Sequence, residues 1–318
     1  MKNLITSIKF IQDLQKITLQ QFLVFYSVYL WVKKTIDIRI PDDKFNDFIK
    51  FCEKYNLYYK YDVKFVDLTN FSYFKKVIGN EILTTTKTIW VKISDKRKWS
   101  IHFFVWKNKD DVEWAYNYWW YPVVIWNRVI PKPYHDLLEF WYYLGYPSCC
   151  RKFFMEKNDW RYYNFPYEIY KNSGKFDYRC NWFWKDFLYS PIYHMPCSYS
   201  CEKTIEYTEK ILYFVKKEDP YLYKDIVWYL KLPVLSVREK VLFAFEWHFI
   251  DNHTIWYNKI HILWDTREDR LLHDNIVKWN KITIKNNIVY IFFNDKLIYQ
   301  HDCSLSDEIE IPHFINFN

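Results

Sequence analysis

"NKITIKNNIVYIFFNDKLIYQ", residues 280–300, holds short β-branched and aromatic runs separated by Asn and Asp. Asn accepts the left-handed backbone that tight two-residue turns require, so the stretch reads as antiparallel strands with a hairpin at Asn286 and Asn287. The same character extends to both sides, in "EKVLFAFEWHFI" (239–250), "TIWYNKIHILW" (254–264) and "DEIEIPHFINF" (307–317). Residues 233–318 are therefore expected to form a β-rich unit. Helical patterns lie upstream, in separate stretches of chain, and this segregation makes the fold class α+β.

The first 130 residues read as a smaller α+β unit. "PDDKFNDFIKFCEKYN" (41–56) opens with Pro and two acids, then sets Phe45, Phe48, Ile49 and Cys52 on one face of a helix. "LYYKYDVKFVDL" (57–68), "KTIWVKIS" (87–94) and "KWSIHFFVWKN" (98–108) read as strands, with "SDKR" (94–97) as a hairpin connection between the last two. "KDDVEWAYNYWW" (109–120) reads as a helix. Near the N-terminus, residues 4–33 are expected to form a helical element packed on the domain, with a membrane-surface helix as the alternative. Its most apolar run, residues 19–32, is shorter than the roughly 20 residues that a spanning helix needs.

Between these units, residues 131–232 read as a helical region. The two prolines of "IPKPYHDL" (130–137) mark its start, and a helix over 133–145 should end at Gly145, the residue type favoured just past a helix C-terminus. Pro147 follows, and a second helix is expected to begin near Ser148. A third helix follows "YHMPCSYSC" (193–201), capped by Ser198 or Ser200, with Ile205, Thr208, Ile211, Leu212 and Val215 as its apolar stripe.

Five of the seven cysteines fall in this region: Cys149, Cys150, Cys180, Cys197 and Cys201. Cys149 and Cys150 would open one helix and Cys201 another, where unpaired N–H groups and the helix dipole favour thiolates. Brought together, Cys149, Cys150, Cys197 and Cys201 would form a four-thiolate pocket, and in a reducing compartment such a pocket calls for a cation. A [4Fe-4S] cluster takes four thiolates at irregular spacings, and the side chains of adjacent Cys149 and Cys150 are expected to diverge, which suits different irons of a cluster and sits awkwardly on one tetrahedral zinc. Structural zinc is the alternative cofactor. Redox thiols, a disulfide, or cysteines that are simply buried also remain open. His194 and Cys180 are candidates for an alternative ligand or a supporting hydrogen bond, although Cys180, among aromatics, suits a core. Asp136 and Glu139, with His135, precede the Cys-Cys turn and are candidate acid/base groups, or else a solvated helix face.

"LGYPSCCRKFF" (144–154) and "HMPCSYSCE" (194–202) resemble the paired signatures, Gly-Tyr-Pro-x-Cys-Cys and His-x-Pro-Cys-Ser-x-x-Cys, of a family of uncharacterised proteins from archaea, bacteria and phages. The resemblance covers about residues 135–215. It implies a cysteine-based site with Cys149, Cys150, Cys197 and Cys201 at the matching positions and His194 beside them.

Composition sets outer bounds. Three glycines in 318 residues cannot build the phosphate-cradling loops of nucleotide-binding folds. Two alanines and three glycines beside 30 Tyr and 26 Phe are what an AT-rich gene, such as a phage gene, would encode. Aromatic abundance is for that reason weak evidence of base stacking. The net charge of +7 suits an acidic partner such as nucleic acid; "SDKRKWSIHFFVWKNK" (94–109) reads as a half-buried strand of an ordinary sheet, with a nucleic-acid-binding surface of interleaved aromatic and basic residues as the alternative. The expectation is an intracellular metal-binding protein: a redox or RNA/nucleoside-modifying enzyme if the metal is a cluster, a nucleic-acid-binding or assembly protein if it is zinc.

Overall fold

The computed structural model describes residues 9–18, 22–67, 82–83, 88–119, 122–131, 135–157, 164–185, 189–238, 241–246, 249–264, 270–305 and 310–318. Its architecture is α+β, with two compact units at residues 1–151 and 152–318. The sequence reading set boundaries near 130 and 232. The helical region and the β-rich region downstream of residue 152 instead form one unit.

In the first unit, helices α1 (Lys9–Gln15) and α2 (Phe22–Tyr29) precede strand β1 (Ile36–Pro41). The single helical element expected over 4–33 is thus interrupted. Helix α2 stops where the Ser27 carbonyl accepts the N–H groups of Val32 and Lys33, and Trp31 takes a positive φ of 63°. Leu23 to Val28 are buried, so α2 is a core helix. Helix α3 (Phe45–Lys54) buries Phe48, Phe51 and Cys52, and strands β2 (Tyr58–Asp67), β3 (Ile82–Leu83), β4 (Thr88–Lys92) and β5 (Ser100–Trp106) follow.

The sheet order is β1-β5-β2-β4-β3, antiparallel throughout. Residues 94–97 are therefore not a hairpin, because β2 lies between β4 and β5 and pairs with both. The long β2 reaches both neighbours through a register shift between Tyr61 and Lys64. Strand β5 is buried along its whole length. Phe103 packs on Phe48 of α3 (ring centroids 4.9 Å), and Phe104 packs on Tyr116 (5.8 Å) of helix α4 (Lys109–Tyr118). With both faces covered by helices, β5 cannot offer its rings to nucleobases. Within 94–109, where a half-buried strand is expected, β5 is a core strand buried on both faces. A two-stranded ribbon, β6 (Pro122–Ile125) and β7 (Arg128–Pro131), leads to helix α5 (Leu137–Tyr143).

Helix α6 (Ser148–Lys157) runs unbroken through residue 151. In the second unit, α7 (Phe165–Lys171), α8 (Glu202–Glu218) and α9 (Pro220–Leu230) precede the strands. One sheet contains β8 (Val234–Arg238), β9 (Val241–Glu246), β12 (Lys259–Trp264) and β16 (His313–Ile315) in the order β12-β9-β8-β16. The other is β10 (Phe249–Asp251), β11 (Thr254–Trp256), β13 (Lys281–Lys285), β14 (Ile288–Phe293) and β15 (Lys296–Asp302), in the order β10-β11-β13-β14-β15. The two sheets share a core that includes Phe243, Phe245, Ile282 and Ile291. Helix α10 (Arg270–Lys278), absent from the sequence reading, adds Leu272 and Ile276 to that core. Asn286 and Asn287 both have positive φ (51° and 62°) and join β13 to β14, the hairpin that the sequence predicts.

Candidate metal centre

The chain enters the cysteine motif through a helix end set by local chemistry. Helix α5 starts at Asp136, whose Oδ1 accepts the Glu139 N–H at 3.1 Å. It begins later than the expected residue 133, because Asp136 is its N-cap. At its end Gly145 takes φ +73°, its N–H donates to Tyr142 O, and the Tyr146 N–H donates to Trp141 O. These two bonds form a Schellman motif. The turn then delivers Pro147, whose carbonyl accepts the Arg151 N–H, so α6 starts with Cys149 and Cys150 in its first turn.

The second pair of cysteines is held by a tight loop. Cys197 O accepts from Asn172 Nδ2 at 2.7 Å, the Tyr199 N–H donates to Ser173 Oγ at 2.7 Å, and the Asp177 N–H donates to Tyr199 O at 2.8 Å. Tyr199 is wholly buried and anchors the loop. Neither serine caps α8. Ser198 Oγ accepts the Ser200 N–H within the loop, and Cys201 occupies the N-cap without a side-chain cap bond.

The four sulfurs of Cys149, Cys150, Cys197 and Cys201 lie within 4.8 Å of one another and could bind a metal ion. Cys149 is exposed, Cys197 is half-buried, and Cys150 and Cys201 are buried. The adjacent pair does not diverge: Cys149 Sγ and Cys150 Sγ are 3.9 Å apart. Three of the four sit in the first turn or at the N-cap of a helix, where the backbone dipoles offset negative charge.

The other candidates are not members of this sulfur group. Cys180 is fully buried, its thiol points at the Cys201 carbonyl at 3.7 Å, and burial raises its pKa. His194 is buried and its Nε2 is 3.0 Å from Thr204 Oγ1 on α8. It fixes the approach to the loop and lies outside the sulfur group. Asp136 is a helix cap and Glu139 lies exposed in the first turn of α5, and neither belongs to the group.

A second convergence of ligand-type side chains escaped the sequence reading. Cys303, His301 and Glu310 have ligand-type atoms within 4.8 Å of one another. The available signal was the two-residue spacing of His301 and Cys303 at a strand end. Among the described residues no helix is long and apolar enough to cross a membrane. No family model, curated protein or solved structure matches the chain.

Proposed function

We propose that the four cysteines hold one structural Zn2+, and that the chain is a zinc-stabilised binding or assembly protein that does no catalysis at this metal. The observation that carries the reading is the sulfur spacing. Four thiolates about 2.3 Å from a tetrahedral zinc stand about 3.8 Å apart. The Cys149–Cys150 separation of 3.9 Å fits, and the 4.8 Å ceiling on all pairs is within a small contraction of it. Thiolates on four different irons of a [4Fe-4S] cluster stand farther apart, roughly 6 Å, because the cluster body lies between them. Four sulfurs also complete the tetrahedron, which leaves no position for water or substrate.

A binding role draws support from the ribbon tip. Trp126, at its turn, is 93 % exposed with φ 56°, and Val124, Ile125 and Arg128 are exposed around it. An apolar group held out in water by a strained turn is what a partner surface looks like. The net charge of +7 favours an acidic partner, nucleic acid first among them.

The test is metal analysis after anoxic purification. Zinc without iron or inorganic sulfide is expected, with one equivalent lost in Cys197→Ser. A brown protein containing iron and sulfide would replace the zinc reading with a cluster.

A further inference from the structure

His301, Cys303 and Glu310 lie far from the cysteine motif in sequence, all within the second unit, and each is held by its backbone. His301 is in the β14–β15 ladder opposite Val289. Cys303 follows the strand end and donates its N–H to Asn287 O at 3.1 Å. Asn287 Nδ2 donates to Glu310 O at 3.2 Å, and the Ile311 N–H donates to Val237 O. The left-handed Asn287 at the hairpin turn thus clamps both ends of the chain between 303 and 310.

The side chains converge inside this clamp. Cys303 is 3 % exposed, the Glu310 side chain 2 % and the His301 side chain 19 %. His301 Nε2 is 2.7 Å from Glu310 Oε2, while Oε1 faces Arg238 Nε at 3.8 Å, an ion-pair separation too long for a hydrogen bond between those atoms. A buried Arg–Glu pair needs neither an imidazole nor a thiol beside it. A nucleophilic cysteine needs an approach for its substrate, and Cys303 has almost no accessible surface.

We propose that His301, Cys303 and Glu310 form a second metal site, for a borderline divalent transition ion such as Zn2+. Sulfur, nitrogen and oxygen donors together suit zinc, whereas calcium and magnesium require oxygen ligands. Cys303 binds as thiolate and releases its proton to solvent, and the proton between His301 Nε2 and Glu310 Oε2 passes by way of solvent to Nδ1, so a neutral imidazole and two anionic donors face the 2+ charge. Arg238 remains beside Glu310 Oε1 and steers Oε2 to the ion. Three protein ligands leave a fourth position for water on the side where His301 is partly exposed. The ion fastens Glu310 and the β16 that follows it to the end of β15.

The experiment counts zinc in the full chain after equilibration with excess zinc sulfate and desalting. Two equivalents in wild type and one in Cys197→Ser/Cys201→Ser are expected. Adding Glu310→Gln or Cys303→Ser to that double variant should reduce the remaining zinc at least tenfold. One equivalent in both wild type and the double variant would support this site and sink the four-cysteine reading. One in wild type and none in the double variant would overturn the proposal, as would zinc that persists after Cys303→Ser. If the Cys303 variant does not fold, Co2+ added to the double variant decides. A charge-transfer band of single-thiolate intensity is expected, and its absence refutes the site.

Discussion

Removing the metal from the four-cysteine site should weaken the fold by an amount that the chain geometry sets. An ion shared by Cys150 and Cys201 closes a loop of some fifty residues. A covalent cross-link over such a loop restricts the unfolded chain by about 4 kcal/mol. The metal link should approach that value, because the loop 196–201 and the start of α6 are already ordered by hydrogen bonds of their own. In domains of 150–250 residues each kcal/mol moves the melting temperature by about 2–4 °C, so chelation should lower it by about 10 °C. The assay is thermal unfolding with and without a zinc-selective chelator, in wild type, Cys201→Ser and Cys52→Ala. Wild type and Cys52→Ala should show the chelator shift, since Cys52 is buried on α3 and outside the group. Cys201→Ser should start lower and show at most a small shift. Reading the chelator difference within each variant removes the cost of the substitution itself. A shift of similar size in Cys201→Ser would refute the cross-link. So would the absence of any shift in wild type that has been shown to carry zinc.

Three further outcomes follow from single residues. Gly145→Ala should cost about 1–2 kcal/mol in urea unfolding, because φ +73° is unfavourable for any side chain. The added Cβ itself meets Lys33 at ordinary contact distances, Cγ at 3.5 Å and Cα at 3.6 Å, so a much larger loss would point to packing. Lys33 is buried and desolvation lowers its pKa to about 8, against 10.5 when exposed. Between those values the unfolded chain binds more protons than the folded one, so stability should rise with pH. Lys33→Met should be more stable than wild type by up to about 3 kcal/mol at pH 7, with the gap closing towards pH 10.5, as read by denaturant titrations across that range. His313 is buried, donates Nδ1–H to Ile311 O at 2.8 Å, and has its pKa lowered by desolvation to about 4. As pH falls from 6.5 to 4 the unfolded chain takes up the proton first, so up to about 3 kcal/mol is lost. His313→Phe, which keeps ring packing against Tyr170, should flatten that acid limb in the same measurement.

What the sequence made legible was local. The Asn286–Asn287 turn and the stop at Gly145 are readable because a positive φ restricts residue type within one or two positions. The start of α6 was readable because Pro147 cannot continue α5, and the four-sulfur group because its members sit in or beside two such helix starts. Pairing was not legible. The short connection at 94–97 looks like a hairpin, yet β2, more than twenty residues upstream of β4, inserts between the two strands. Helix α10 escaped because only Leu272 and Ile276 are buried in a stretch rich in charge, too thin a stripe to read beside strands. Ser198 and Ser200 both read as helix caps, since a cap and a tight turn use the same hydroxyl acceptor.

The same distinction between local and non-local information separates the two candidate metal sites. The cysteine site is assembled from two short motifs whose residue types are uncommon, so composition alone raises it above the background. The His301, Cys303 and Glu310 site is assembled by a strand ladder and by one asparagine that bonds to both Cys303 and Glu310, and its three residue types differ from one another. Only His301 and Cys303 are close in sequence, and no spacing rule connects Glu310 to them. Mutating Asn287 tests that asymmetry directly. Asn287→Gly keeps the left-handed turn and the carbonyl that accepts from Cys303, but removes the amide that holds Glu310. If the clamp is what assembles the second site, this change should weaken zinc binding there and leave the four-cysteine site unaffected. Equal zinc affinity at both sites before and after the change would mean that Glu310 is positioned by its side-chain partners alone.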